Sequence, residues 1–338
     1  MAPGIKKLSR IQTGFEVTPG TVVVATSRWR GTGTSLDDKR KLEIIEELVG
    51  YMGGTDRTVI TENIGGLALS PAPATPEQAQ YLFVWGMAGP KTGVADGVGT
   101  GKVYTNTIPT TTTPTPTPSS FETGDNKEQE VAGYGVATQV TIEGKAGETA
   151  KMSGTILTRG VNRLAAGFST TTLPAVSELP VSMGKLYLDA IGGTPGTTLI
   201  ANQILGFKVQ YDFMWIPKPT MDGSLDWSFA VLADFKISGN VLFEHDTAVL
   251  RNAGAKADFV AQTAKLMQIK LIGDALGTPA AETNKTIRIT HPIKWLNPKP
   301  LSDINGNDTV SMDWQSRYNS TFGSAGSVVI VNEVAALP

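Results

Sequence analysis

The chain has 338 residues, carries 29 Lys and Arg against 31 Asp and Glu, and contains no cysteine. The near-balanced charge argues against a high-affinity nucleic-acid binder, and the missing thiols exclude disulfides, thiol catalysis and cysteine-held zinc. A charged fraction of 18% beside 37 Gly and 20 Pro is typical of a mainly β protein with many turns.

Targeting signals are missing from this sequence. No apolar run approaches the roughly 20 residues that a membrane-spanning helix needs. Lys6 and Lys7 near the start are not followed by an apolar stretch, so residues 1–10 do not resemble a signal peptide. The sequence therefore predicts a protein that is made and assembled in a cytoplasm, without membrane contact.

The first 60 residues contain few regular signals. Residues 1–20 hold several Pro and Gly and predict an arm, and residues 22–25 predict a short strand. Residues 35–50 are ambiguous, because Ser35 resembles a helix N-cap and the apolar residues have helical spacing. A long loop with a strand is the open alternative there.

A clear helix signal begins at Thr75, which is a good N-cap and precedes Pro76. Gln78 stands where a capping box needs it, and residues 89–90, Gly-Pro, end the pattern. The following Thr/Pro-rich stretch, residues 107–121, predicts a long exposed loop because alternating Pro favours extended backbone.

Residues 131–158 give the strongest strand signal, two strands joined by a Gly/Lys turn. Val140 and Ile142 share one face of the first strand, whereas Thr141 and its neighbours on the other face are small and polar. The alternation predicts a long hairpin with one buried face and one wet face.

The first half also predicts strands at residues 66–70 and 102–105, so its order is strand, helix, strand and long hairpin, and the second half repeats this order. Strands are predicted near residues 185–188, 204–213, 225–231, 236–243 and 266–272, a short helix begins at Asp246, and a last hairpin covers 286–295 and 308–318. The spacing between matching elements is roughly 155–170 residues. We therefore expect a tandem pair of β domains. The predicted ranges are an N-terminal arm (1–20), a first domain (21–173), a linker (174–184), a second domain (185–320) and a C-terminal strand or arm (321–338).

Catalytic signals are weak throughout. His245 stands near a helix start and His291 precedes a proline, and neither has the sequence neighbours of a base or a metal ligand. Residues 303–308 lack the spacing of a calcium loop, and residues 97–102 lack the first Gly and the Ser/Thr of a phosphate loop. We expect no enzyme activity, no cofactor and no metal.

Four stretches together resemble the tail tube protein, or major tail protein, of long-tailed bacteriophages. They are residues 11–21, residues 121–125, the block 134–161 with Lys145 to Glu148 at its turn, and residues 307–332. The likeness covers most of the chain in loose patterns. It implies a tube-type β-sandwich or barrel with flanking short helices, terminal arms, and hairpins that join between subunits into a continuous barrel.

The resemblance also implies a function and partners. The chain would polymerise as stacked rings into a virion tail tube, a conduit for DNA ejection that is assembled in the host cytoplasm. A duplicated chain would form a trimeric, pseudo-hexameric ring, with a true hexamer as the alternative. Tape measure, tail terminator and distal tail proteins would be its partners, and DNA would pass transiently without specific binding.

The channel wall of such a tube should consist of the small polar faces of the two hairpins. The lumen-facing candidates are Gln139, Thr141, Glu143, Lys151, Ser153, Thr155, Thr286, Arg288, Thr290, Lys294, Ser311, Asp313 and Gln315. Lysine and arginine fit a non-adhesive wall poorly. We expect either that the cations pair with Asp313 and Glu143 or that one hairpin face points the other way.

A second function remains open from the sequence, a β-sandwich adhesin or decoration protein that binds carbohydrate through exposed aromatics such as Trp215, Trp227 and Trp314. A glycosidase is a more distant third, because no convincing carboxylate pair appears. The arm assignment carries its own expectation: deletion of residues 1–18 should spare folding and block ring stacking.

Overall fold

The computed structural model describes residues 4–53, 56–164, 167–252 and 254–338, and the prediction of a mainly β fold with short helices is confirmed. The strands in these ranges are β1 (Arg10–Phe15), β2 (Ser27–Arg28), β3 (Asp37–Asp38), β4 (Lys41–Ile44), β5 (Thr58–Glu62), β6 (Gly65–Pro73), β7 (Val94–Ala95), β8 (Lys102–Thr107), β9 (Ser119–Gly124), β10 (Gln129–Lys145), β11 (Lys151–Thr158), β12 (Asn162–Arg163), β13 (Lys185–Ala190), β14 (Ile204–Lys218), β15 (Phe229–Glu244), β16 (Lys265–Ala275), β17 (Asn284–Pro298), β18 (Ser302–Ile304), β19 (Asn307–Ser316) and β20 (Ser327–Asn332). The helices are α1 (Pro76–Met87) and α2 (Ala255–Ala261), with 3-10 turns at Lys6–Leu8, Val181–Met183 and Thr247–Val249.

One antiparallel sheet runs through both halves of the chain, and we call it the long sheet. Its strand order is β6–β11–β10–β14–β15–β19, and the C-terminal part of β17 continues it beside β19. The predicted hairpin of residues 131–158 is therefore present as β10 and β11. Alternate side chains of these strands, such as Val140, Tyr211 and Val241, are fully buried on one face.

Two smaller sheets pack behind the long sheet. The N-terminal sheet has the order β2–β1–β9–β10–β12, and the back sheet has the order β13–β16–β17–β20–β8–β7. Strands β10 and β17 each begin in a smaller sheet and end in the long sheet. A strand that changes sheet makes a corner of the sandwich, and its two ends face different surroundings.

The two halves of the chain repeat one pairing pattern. In the first half β9 pairs with β10, β10 with β11, and β11 with β6. In the second half β16 pairs with β17, β17 with β19, and β19 with β15. Helix α1 follows β6 and helix α2 follows β15, so the helices also stand at matching places. The strand pairings of the two halves therefore match in order, but the matching helix of the second half begins at Ala255 and not at the predicted Asp246.

Helix α1 forms where the sequence places it, with Thr75 as the N-cap residue and Pro76 at its first position. It ends at Met87. The C-cap residue Ala88 has a left-handed φ of 55°, and Gly89 follows it. The predicted capping box is absent, because the Gln78 side chain bonds to the backbone of Arg28 and Arg30 instead. All twelve residues of α1 are buried, so the helix lies inside the molecule rather than on a sheet surface.

A single hydrophobic core extends from Ile11 near the N-terminus to Leu337 near the C-terminus. The predicted linker takes part in it, since Leu179 is fully buried and its carbonyl accepts a hydrogen bond from the Ala150 amide. Residues 174–184 are therefore packed against the hairpin turn. The two repeats share their core and behave as one packed unit in this structure.

The predicted N-terminal arm is wrong beyond residue 9. Strand β1 lies between β2 and β9, and Gln12 and Thr13 on it are 0% and 3% exposed. Glu16 extends this anchorage, because its buried carboxylate accepts hydrogen bonds from the Ser120 hydroxyl and the Tyr134 amide. The polar composition of residues 1–20 concealed a core strand whose polar side chains have buried partners.

The C-terminal range 321–338 contains the predicted strand, but it is not a free arm. Strand β20 lies between β17 and β8, and Val328, Ile330 and Val331 on it are fully buried. Asn332 at its end is also buried, and its amide donates to the Pro76 carbonyl at 2.9 Å. This segment is therefore part of the sandwich.

Three local predictions in the first half also change. Residues 35–50 contain β3 and β4 and no helix, and residues 22–25 form no strand. The exposed Thr/Pro loop ends at residue 117, because Pro118 and strand β9 are buried. In the second half, the predicted helix at Asp246 is a 3-10 turn, capped by the Asp246 carboxylate, and α2 begins nine residues later at Ala255.

Candidate functional site

The open face of the long sheet is the candidate site, and we call it the polar face. Its central row crosses six strands through directly paired residues, each with a short or uncharged side chain except the last. In order the row is Ser153, Thr141, Gln210, Ser238, Gln315 and Lys294. Because the pleat places alternate residues on opposite faces, every one of these side chains lies opposite the core.

Charges flank this row in a balanced way. The next row toward the β10–β11 turn contains Lys151, Glu143, Lys208, Asn240 and Asp313. The row on the other side contains Thr155, Gln139, Asp212 and Lys236. Opposite charges therefore alternate across neighbouring strands, as in Lys151, Glu143 and Lys208, and the polar face has no block of lysine.

Several of these polar groups are held by specific hydrogen bonds and ion pairs. The Asp212 carboxylate accepts from the amides of Gln139 at 2.8 Å and Gln210 at 2.9 Å. Asp313 pairs with Lys299 at 3.2 Å. Such pairing fixes the side chains and lowers the local positive field that could retain a polyanion.

Ten of the thirteen predicted wall residues lie on the polar face. They are Gln139, Thr141, Glu143, Lys151, Ser153, Thr155, Lys294, Ser311, Asp313 and Gln315. Thr141 is only 8% exposed, since it stands between cross-strand neighbours on both sides. Residues of the central row therefore lie on the same face of the sheet but differ in how much of each side chain is exposed.

The remaining three predicted wall residues are not on this face. Thr286 is fully buried, Thr290 is 6% exposed and accepts from the Gln268 amide, and Arg288 bonds to Glu282. The reason is the corner in β17: its first half pairs with β16 and β20 in the back sheet. The predicted alternation of residues 286–290 is present, but its polar side is also covered.

The expected partners of the cations differ as well. Lys151 pairs with Glu148 at 3.1 Å in the hairpin turn, although Glu143 is its cross-strand neighbour. Lys299, rather than Lys294 or Arg288, pairs with Asp313. Lys151 and Asp313 therefore each form an ion pair, but with partners other than those that the hairpin pattern suggested.

Sequence reasoning missed the contribution of β14 and β15, which supply the centre of the polar face. Lys208, Gln210 and Asp212 alternate with buried Val209 and Tyr211, the same signal that identified β10. The alternation was available in the sequence. Its meaning depended on the pairing of β10 with β14, a contact between residues about 70 apart that periodicity does not specify.

The three tryptophans that favoured carbohydrate binding are core residues. Trp215 is 4% exposed, and Trp227 and Trp314 are fully buried. The Trp215 ring nitrogen donates to the Gly86 carbonyl at 2.8 Å, which ties β14 to α1. These side chains therefore cannot form an exposed stacking platform for a sugar.

His291 is fully buried in β17, where the Tyr211 hydroxyl lies 2.8 Å from Nε2 and the Ala325 carbonyl 2.9 Å from Nδ1. A neutral ring that donates from Nδ1 and accepts at Nε2 satisfies both partners. Burial lowers the pKa of His291 to about 4, against the smaller opposite effect of the Ala325 carbonyl. His291 is accordingly a structural residue of the core.

The buried His291 should make stability depend on pH. Its pKa is lower in the folded chain than in the unfolded chain, so unfolded chains bind more protons between about pH 6.5 and 4. Stability is complete above this window and should fall by about 3 kcal/mol as pH drops through it. His291→Gln keeps one donor and one acceptor, and urea unfolding at pH 4.5 and 7.5 should show a smaller pH difference for it than for the wild type. An equal pH difference in both proteins would assign the loss to carboxylates instead.

The described ranges were searched for metal-ligand clusters and for helices that could span a membrane. No group of three or more His, Asp or Glu side chains there is arranged to hold a metal ion. None of the helices in those ranges is long and apolar enough to cross a bilayer.

Comparison with known proteins gives no family assignment. No protein-family model and no curated protein matches this chain. Its function is therefore inferred from the geometry of the polar face and from the chain's own repeats.

Proposed function

We propose that this chain is a structural virion protein that polymerises as stacked rings into a phage tail tube, with the polar face lining a channel through which DNA passes. The observation that carries the proposal is the continuous polar face across six strands and both repeats. A water-filled wall requires this combination of one sealed face and one small, polar face with balanced charge.

The repeated pairing pattern supports the expected stoichiometry. Six tube domains form a typical ring in the family that the sequence resembles, and each chain contributes two matching repeats. Three copies would then form a pseudo-hexameric ring, with six copies as the alternative. Tape measure protein inside the tube, and tail terminator and distal tail proteins at its ends, are the partners that this assembly implies.

Exposed apolar surface supports self-assembly. The β4–β5 hairpin forms its own two-stranded sheet, and Ile44, Leu48, Tyr51 and Met52 on it are 68–110% exposed. An isolated hairpin is marginally stable in water, and clustered exposed apolar side chains mark interaction sites. We assign this hairpin to contacts between stacked rings.

Electron microscopy of the purified full-length chain tests the proposal. The expected result is rings or tubes with a central channel, and averaged end views should have threefold or sixfold symmetry. Discrete single copies at high concentration, without rings, would contradict the proposal. Binding of such single copies to a glycan array would support the adhesin alternative, and release of free sugar would support a glycosidase.

Added positive charge on the polar face should make the channel retain DNA. Thr155→Lys with Ser238→Lys places two cations among side chains of the flanking and central rows. We expect tubes of this variant to co-sediment about tenfold more of a short labelled duplex at low salt, and to release it at higher salt. The matched control is Thr111→Lys with Thr113→Lys in the exposed Thr/Pro loop. Equal retention by both variants would mean that the polar face does not line the channel.

A further inference from the structure

The two repeats are joined inside one chain by the pairing of β10 with β14. Seven residue pairs form this junction, from Gln139 opposite Asp212 to Lys145 opposite Gly206. The junction covers the outer edge of the β10–β11 hairpin and makes the polar face continuous from one repeat to the next. The β10–β14 pairing therefore shows how the sheet of one repeat is extended by a strand of the next.

The matching edge of the second repeat has no partner. Strand β18 lies beside the start of β19 as the end of β10 lies beside the start of β11. In the described ranges no strand pairs with the outer edge of residues 298–304, and residues 299–303 are all exposed. An uncovered edge with free backbone donors and acceptors is a template for another strand.

The opposite end of the long sheet offers the complementary edge. Residues 33–38 run along β6 as β14 runs along β15, with Gly33 opposite Leu69 and Asp37 opposite Gly66. All of residues 33–38 except Leu36 are exposed. No described strand pairs with the outer side of this segment, where only the Leu36 amide has a partner, the Thr123 hydroxyl of β9 at 2.9 Å. In the internal junction β10 pairs with the outer side of β14.

We propose that residues 298–304 of one copy pair with residues 33–38 of a second copy, so that the β10–β14 junction is repeated between chains. The inference rests on the self-assembly in the proposed function and names its two surfaces. Because the two edges differ and lie at opposite ends of one sheet, the contact is heterologous and generates a ring when its rotation closes. Pro298 and Pro300 lack amide donors, so this junction has fewer backbone hydrogen bonds than the internal one.

The absence of native cysteines allows a direct test by thiol cross-linking. Ser302→Cys with Thr34→Cys places thiols at the positions equivalent to Glu143 and Lys208, which face each other across the internal junction. Directly paired strand residues lie about 5 Å apart, and diagonal ones about 7 Å, so a short bis-maleimide tolerates a register difference. Glu143→Cys with Lys208→Cys is the matched control and should cross-link within one chain.

The expected product of the Ser302→Cys, Thr34→Cys chain is a covalent series on a denaturing gel that ends at three copies, or at six in a true hexamer. Each single-cysteine variant should stay monomeric under the same conditions. The proposal is overturned if the control pair reacts and no interchain product forms. It is also overturned if Ser302→Cys with Thr111→Cys gives the same series, since residue 111 lies in the exposed loop.

Cross-linking and electron microscopy together distinguish failure of the proposed junction from failure of the proposed tail tube function. Tubes in the microscope without the covalent series would mean that rings form through other edges. A closed covalent series without stacked tubes would support the junction and contradict the tail tube. A strand from a different protein on either edge would give neither homotypic bands nor rings.

Discussion

A chain that lacks residues 1–18 should fail to fold, in contrast to the expectation from the sequence alone. The deletion removes β1, which pairs with β9 over six residues and with β2 over two. Burial of Ile11 is worth about 2 kcal/mol and each lost backbone hydrogen bond about 1 kcal/mol, so the total reaches the roughly 5–15 kcal/mol that typically stabilises a domain.

The buried polar groups of β1 increase this cost. The Gln12 amide donates to the Ser169 carbonyl at 2.8 Å and to the Glu122 carboxylate at 3.1 Å. Loss of Gln12 and of the hydrogen-bonded Glu16 carboxylate leaves Glu122 and the Tyr134 amide with fewer partners in the interior. The shorter deletion of residues 1–8 is the matched control, because residues 4–8 are exposed.

Circular dichroism and tryptophan fluorescence of the two deletions would decide between the arm and the strand. The shorter deletion should retain the folded spectrum and a cooperative unfolding transition. The longer deletion should give insoluble protein or a spectrum without native tryptophan signals. A soluble, folded chain without residues 1–18 would show that this segment is a detachable arm after all.

The failure of the arm prediction and the success of the hairpin prediction have one physical origin. The β10–β11 hairpin is recognisable because apolar and polar residues alternate, and its partners are local. Strand β1 carries Gln12 and Thr13 at buried positions, so its hydrophobic pattern is weak. Only its partners, which are about 110 residues away, explain why these side chains are inside.

The candidate wall residues also fall into two groups: those whose position follows from alternation alone, and those whose position depends on tertiary pairing. The faces of β10, β11 and β19 follow from alternation, and ten predicted residues lie together on the polar face. Thr286 and Thr290 follow the same alternation, but β17 begins in the back sheet, where both of its faces are covered. Periodicity assigns residues to faces; the surroundings of each face depend on tertiary pairing.

A repeat was expected from the order of the predicted elements, whereas the strand pairings that define a repeat depend on long-range contacts. The repeats match in their strand pairings, yet β8 from the first half pairs with β20 at the end of the second. The packed residues 174–184 and the shared core likewise cross the expected boundary. The boundary expected at residue 174 therefore separates the repeats in sequence, whereas their buried residues form one core.

Lys285→Met should destabilise this shared unit by about 3–5 kcal/mol, as expected when a buried ion pair loses one partner. Lys285 on β17 pairs with Glu77 in the first turn of α1 at 2.9 Å, and its ammonium donates to the Ser177 hydroxyl at 3.0 Å. Glu77 is 5% exposed, so the substitution would leave its charge in the interior. One cluster thus connects the first repeat, the packed residues between the repeats and the second repeat.

The charge state of the cluster supports this assignment. Burial lowers the pKa of Lys285, but the hydrogen bond to Glu77 and the nearby carboxylates, chiefly Glu77 and Glu333, outweigh it and raise the pKa above its usual value. Lys285 therefore stays protonated at neutral pH, where it can pair with Glu77.

The double variant Glu77→Gln with Lys285→Met distinguishes a connecting ion pair from simple loss of packing. The glutamine side chain would still accept the Ser177 amide hydrogen bond that Glu77 accepts at 3.1 Å, and no charge would remain uncompensated. Urea unfolding should show Lys285→Met as the least stable protein and the double variant within about 1 kcal/mol of the wild type. If the repeats fold separately, Lys285→Met should instead split the unfolding curve into two transitions, and the double variant should restore one.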